Sequence, residues 1–253
     1  MIGMGQKRLP EGYYSILVLY CVLLLFLFPS IGQAANQSEN VKVLINRIAA
    51  AYGGKETIET VRSVIARGKI EAVVFDDKGT YVRYFKQGRK LRVNITYTRS
   101  KEERILDGNK GYESTDAGFS EVSGARYLAM LYQYKQLDLP CGLLKGEYQL
   151  TYEGKADVNG VNTEVIGLRD AEGPPIRIYV DMKRFFIIKV SGLFSMGANT
   201  MELSAEFSDF RQVQGTMQPY RITNYAGGQK IAEITLHDYE LNTNINESLF
   251  RPD

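Results

Sequence analysis

The 253-residue chain balances 31 Lys and Arg against 29 Asp and Glu, for a net charge of +2. That balance argues against a nucleic-acid partner, which binds through clustered positive charge, although short basic stretches occur at residues 86–92 and 99–101. A single His and two Cys leave no histidine pair for zinc, whereas 17 Tyr and 11 Phe with no Trp supply abundant aromatic mass.

Lys7 and Arg8 precede an uncharged apolar run at residues 13–28. Pro29 and Ser30 end the run, and Gly32-Gln33-Ala34 places small residues at alternate positions. This is the layout of a secretory signal peptide, with cleavage expected near Ala34. An uncleaved N-terminal anchor is the alternative, although the run is short for a span of about 20 residues. Residues 1–34 are therefore read as signal or anchor and 35–253 as one domain. Beyond the leader only Cys141 remains, so no intrachain disulfide is available there and the thiol is expected to be buried and inert.

Ser38 is expected to cap a helix whose Val41, Leu44, Ile45, Ile48 and Ala49 recur at three- and four-residue spacing. Tyr52 closes it and Gly53-Gly54 stops it, with residues 55–60 as a short continuation. Strands are predicted at 61–75, 80–85 and 90–97. In the third, Leu91, Val93, Ile95 and Tyr97 share one face, opposite Arg92, Asn94 and Thr96. A short strand at 104–106 ends in an Asp107-Gly108-Asn109 turn. A second helix, 124–137, is apolar and aromatic through Tyr127, Leu128, Leu131, Tyr132 and Tyr134, as a buried helix or a lid would be.

From residue 146 the sheet resumes. Strands are predicted at 163–169, 176–180, 185–190, 201–210, 217–225 and 230–241, with turns at 172–175, 181–184, 192–199, 214–215 and 227–228. No segment among them offers a crossover helix, so the sheet is antiparallel and meandering. The predicted class is mainly β with helices.

Catalytic chemistry is weakly represented. His237 sits in an alternating strand beside Ile234 and Leu236 and reads as a strand-face residue, and no Gly-x-Ser-x-Gly elbow occurs. Asp76-Asp77 reads as a hairpin turn. No cofactor is implied. A sheet with apolar helices either packs solidly or leaves an apolar pocket between the layers. Composition leaves both open for Phe85, Leu91, Val93, Ile95, Ile178 and Phe186.

Several stretches resemble the LolA/LolB-like lipoprotein carriers, in particular the outer-membrane lipoprotein-sorting group. They are Ile48-Ala49-Ala50-Ala51-Tyr52-Gly53-Gly54, Tyr84-Phe85-Lys86-Gln87-Gly88-Arg89-Lys90-Leu91-Arg92, Leu106-Asp107-Gly108-Asn109-Lys110-Gly111-Tyr112, Ile178-Tyr179-Val180-Asp181, Phe207-Ser208-Asp209-Phe210 and Phe250-Arg251-Pro252. The resemblance implies a strongly curved antiparallel sheet forming an unclosed barrel, with helices over its concave face. It also implies binding of a lipid, or of the acyl chain of a lipoprotein, in the periplasm of a Gram-negative bacterium. Membrane-bound donor and acceptor proteins and transient membrane contact follow from the same likeness. By this likeness those six residues, together with Tyr97, Tyr127, Leu128 and Leu131, become cavity candidates, with the 124–137 helix as part of the lid. Gln87-Gly88 stands where the carrier has Arg-Pro, and Tyr112 stands where the family often has Trp. The alternative is an envelope scaffold with a solid core and no lipid ligand.

Overall fold

The structure, a computed structural model, describes residues 31–196 and 199–252. The predicted leader run at 13–28 lies outside the described residues. Contacts divide the chain into Met1–Asn40 and Val41–Asp253. The described part of the first unit is the start of helix α1 (Ile31–Ala51). This helix is continuous through Ser38, so the expected cap there is not formed; Ala34 and Ala35, strong helix formers, lie upstream within it.

The second unit is built on thirteen antiparallel strands: β1 (Ser63–Ala72), β2 (Asp77–Lys86), β3 (Lys90–Tyr97), β4 (Lys101–Asp107), β5 (Lys110–Thr115), β6 (Gly118–Val122), β7 (Gln149–Val158), β8 (Val161–Arg169), β9 (Ile176–Asp181), β10 (Ile187–Met196), β11 (Asn199–Val213), β12 (Thr216–Ala226) and β13 (Gln229–Leu241). Helices α2 (Lys55–Thr60), α3 (Gly124–Asp138) and α4 (Cys141–Leu144) accompany them. The strand order is β6-β5-β4-β3-β2-β1-β13-β12-β11-β10-β9-β8-β7. Every neighbour but one is joined by a hairpin. The exception is β1 against β13, which brings the two ends of the meander together in the middle of the sheet. The barrel is not closed: β6 and β7 are free edges. The chain between those edges is α3 and α4, so α3 leaves one edge and the chain re-enters at the other. α3 consequently touches β4 and β5 on one wing and β10 on the other.

Differences from expectation are local. Strand β1 stops at Ala72, leaving Val73, Val74 and Phe75 exposed in the hairpin, with Phe75 66 % accessible. The turn expected at 192–199 is shorter, because Gly192 pairs with both Ile176 and Leu203 and β10 runs on to Met196. Phe185 is not in a strand but takes a left-handed conformation in the turn before β10. Strand β6, which the sequence reading leaves unassigned, pairs with β5 through Gly111↔Val122 and Glu113↔Ser120.

One large apolar core lies on the concave side, where Val41, Leu44, Ile48 and Tyr52 of α1 pack with inward strand residues such as Val64, Phe85, Val93, Ile178, Val190 and Leu236. A smaller cluster of Ile65, Ile105, Ile245 and Phe250 sits on the other face. It is covered by the C-terminal 3-10 turn Glu247–Phe250. That turn explains why Arg92 is buried on the polar side of β3: Nε donates to Asn94 Oδ1 at 3.0 Å, Nη1 donates to the Leu249 carbonyl at 3.2 Å, and Nη2 pairs with Glu103.

Candidate functional site

The inward face of the sheet can be read as rows of paired residues. One row runs Leu241–Val64–Phe85–Leu91–Leu106 and is wholly apolar. The next runs Tyr239–Ala66–Arg83–Val93–Arg104 and carries two arginines. The third includes Gly68, Tyr81, Ile95 and Glu102. Helix α3 roofs these rows. Tyr134 stacks on Phe85 with ring centroids 5.1 Å apart, and the Tyr132 hydroxyl lies 3.0 Å and 2.9 Å from the carbonyls of Val190 and Leu203. A side chain at Gly111 would place its Cβ 3.0 Å from Met130 Sδ, so the glycine lets α3 lie close on β5.

Two spaces lie under this roof among the described residues. The first, about 80 Å³, is lined by Tyr52, Val64, Arg83, Phe85, Asp138, Cys141, Phe207, Pro219 and Ile222 among others. The second, about 370 Å³, opens between the β1–β2 and β2–β4 region and strands β11–β13, beneath α3. Its lining includes Ile70, Val74, Phe75, Tyr81, Ile95, Tyr97, Arg104, Leu203, Ala232 and Ile234. Gln136 of α3 borders both. Ligand pockets usually measure roughly 300–1,000 Å³, so only the second reaches the size of a ligand site.

The structure distributes the ten candidate residues unevenly. Phe85 borders the smaller space; Ile95 and Tyr97 border the larger. Leu91, Val93, Leu131 and Ile178 are almost completely buried and border neither. Leu128 faces the β8–β9 loop at Gly173, and Tyr127 lies against β5 at Gly111. Phe186 stacks on Phe210 at 4.4 Å and meets Tyr52 edge-on at 5.5 Å. That aromatic cluster fixes the end of α1, where the Tyr52 hydroxyl accepts from the Ile187 N–H at 3.2 Å.

Polar residues also lie on the inward face. Arg83 is only 4 % exposed. Its Nη2 donates to the Tyr239 hydroxyl at 3.2 Å, which in turn donates to the Pro219 carbonyl at 2.6 Å. Its Nε has no acceptor, and neither does Nε of Arg104. The signal was available: Tyr81, Arg83 and Phe85 alternate, which puts Arg83 on the Phe85 face. Val82 and Tyr84 on the other face are also bulky and apolar, and they mask it.

Asp138 lines the smaller space with Oδ1 unpartnered, and burial pushes its carboxyl up to about 6 against the pull of Lys145 at 3.9 Å. Cys141 is buried, accepts a hydrogen bond from Gln87 Nε2 at 3.4 Å, and has its thiol pushed up by burial. Its neighbour Gln87 also donates to the Val61 carbonyl at 2.6 Å and accepts from Arg62 Nη1 at 2.8 Å. Gln87 therefore ties α2's exit and the α4 thiol together. Arg89, two residues on, pairs with Glu172 at 2.7 Å. His237 is exposed on β13, away from both spaces.

No family model matches the chain, and no curated protein matches it in sequence. Solved structures do. A DUF1329 family protein from Desulfovibrio piger is 11 % identical with a TM-score of 0.56, covering 83 % of this chain and 97 % of its own. A putative outer membrane lipoprotein-sorting protein domain from Vibrio parahaemolyticus is 11 % identical with a TM-score of 0.51, covering 82 % and 94 %. A LolA superfamily protein from Nitrosomonas europaea is 14 % identical with a TM-score of 0.53, covering 78 % and 94 %. Identities this low speak to fold: the chain has the LolA/LolB-like fold, an unclosed antiparallel barrel with helices laid across its concave face.

Proposed function

We propose that this protein binds a lipid, or the acyl chain of a lipoprotein, under α3 and carries it through the periplasm without catalysis. The observation that carries this reading is the 370 Å³ groove, with Ile70, Tyr81, Ile95, Leu203 and Ile234 in its wall. An acyl chain gains about 0.8 kcal/mol for each methylene it buries, so a groove of this kind holds a tail firmly without a covalent bond. Val74 and Phe75 border the same groove and are 63 % and 66 % exposed. An apolar hairpin at an apolar mouth is where a tail would pass between protein and membrane. The basic and apolar leader in the sequence supports export, and the fold shared with a lipoprotein-sorting domain supports an envelope role. Membrane-bound donor and acceptor proteins belong to the same reading.

The test is native mass spectrometry of protein purified from cell envelopes, followed by extraction of any bound lipid. A stoichiometric lipid or acylated peptide is the expected result. Protein that is repeatedly empty, and that takes up no fluorescent fatty acid, would overturn it in favour of the solid-core scaffold.

A further inference from the structure

Arg83 is a buried charge inside the barrel with no carboxylate beside it. Among the described residues no carboxylate lies within ion-pair distance of it, and the groups facing its guanidinium are the tyrosines Tyr239 and Tyr81. An arginine stays charged in a protein whatever its surroundings. Taking an ion out of water is unfavourable unless a partner of opposite charge replaces the water. Here the fork meets only neutral tyrosines, with a hydrogen bond to the Tyr239 hydroxyl and the Tyr239 ring centroid 5.6 Å away, Nε has no acceptor, and the side chain borders a cavity. Such an arrangement is complete only when an anion enters.

We propose that Arg83 binds the oxyanion of an acidic amphiphile, a carboxylate or a phosphate monoester, whose hydrocarbon chain lies in the apolar space beneath α3. This rests on the acyl-binding reading above and deepens it by naming the head group. The head group belongs inside the barrel, against the floor of the sheet, rather than at the mouth. Arg104 supports this. It lies in the same cross-strand row, two strands from Arg83 and roughly 10 Å away at the usual strand spacing. It borders the larger groove, and its Nε likewise lacks an acceptor. The row therefore offers two guanidinium groups on one floor, spanning the two spaces. A planar fork matches both carboxylate and phosphate oxygens, which is why the two chemistries are taken together. Asp138 borders the cavity without reaching ion-pair distance of Arg83. Burial pushes its carboxyl up, and an anion beside it would push it further in the same direction.

The experiment compares three ligands that share one chain: dodecanoate, dodecyl phosphate and dodecanol. Each displaces a fluorescent apolar probe from the delipidated full-length protein. The expected result is that at least one anion binds about tenfold or more tighter than the alcohol, as a charge-assisted hydrogen bond predicts. Which anion wins separates a fatty acid from a phospholipid-like source. Arg83→Met should erase the preference while leaving dodecanol binding within about twofold. It removes an uncompensated buried charge, so it should also fold at least as stably as the parent. Equal binding of all three ligands by the parent protein would overturn the head-group assignment and leave the acyl-binding reading standing. Preference retained in Arg83→Met would also overturn it. Binding of none would overturn both.

Discussion

Lys135 of α3 reaches Asp170 of the β8–β9 loop at 2.6 Å, and both side chains are largely buried, at 7 % and 18 % exposure. Lys135 also donates to the Glu172 carbonyl, while Glu172 itself pairs with Arg89 of the β2–β3 turn at 2.7 Å. The roof helix is thus latched to one loop, and that loop to a hairpin on the other wing. The two pairs differ in energy because they differ in water. Removing one partner of a buried pair strands the other charge and costs about 3 kcal/mol. The Arg89–Glu172 pair, at 39 % and 44 % exposure, is worth under about 1 kcal/mol. Asp170→Ala should therefore lower urea-unfolding stability by about 2–3 kcal/mol and Arg89→Ala by less than about 1. Equal losses would show that the latch is not the buried pair.

Much of this architecture was legible in the sequence, for a simple reason. A meander is made of local hairpins, and Asp76-Asp77, Asp107-Gly108-Asn109, Gln214-Gly215 and Gly227-Gly228 mark them. The pairing of β1 with β13 was not legible, because no local signal joins residues 170 positions apart. The larger groove was also hidden. Ile95 and Leu91 share one face of β3 and look alike in sequence, yet one borders the groove and the other is packed solid. What separates them is tertiary packing that strand alternation does not encode. Polar residues inside were hidden by the opposite problem: Arg83 stands between apolar neighbours on both faces, so alternation alone did not single it out.

Asp138 should leave a mark on the pH dependence of stability. Its carboxyl is pushed from 3.8 to about 6, chiefly by burial. A raised carboxyl means that the folded state holds the proton more tightly than the unfolded chain. Its contribution is then fully favourable below about 4, declines as pH rises through about 6, and is flat above. The loss amounts to about 3 kcal/mol. Asp138→Asn keeps the shape and removes the titration. The variant should match the parent below pH 4 and exceed it in thermal midpoint at pH 7. A parent and variant that differ equally at both pH values would refute this account.

The two glycines ending α1 make a controlled pair. Gly53 and Gly54 both have positive φ, 112° and 93°. A Cβ on Gly53 would lie 2.1 Å from the Gly215 carbonyl oxygen, whereas a Cβ on Gly54 meets nothing within 4 Å. Gly54→Ala should cost about 1–2 kcal/mol, the backbone strain alone. Gly53→Ala should cost clearly more, because the β11–β12 turn must also move. Chemical denaturation of the two variants measures the difference, and identical losses would mean that the turn yields freely.

The carrier reading makes the groove and the core respond oppositely to substitution. Ala232 borders the groove on β13 and is only partly buried. Ala232→Trp places an indole where the tail would lie, so it should abolish fluorescent fatty-acid uptake with a stability change under about 1 kcal/mol. Leu91, 2 % exposed and bordering neither space, is a packing residue. Leu91→Ala should cost about 2–5 kcal/mol through the cavity it leaves, while uptake by the remaining folded protein stays near that of the parent. Leu91→Glu, which buries a charge among Phe85, Val93 and Leu106, should fail to fold. If Ala232→Trp still takes up the probe with unchanged affinity, the tail does not lie in this groove. The smaller space bordered by Arg83 and Phe85 would then have to expand to receive it, and that expansion would show as increased amide exchange in α3 and α4 on ligand binding.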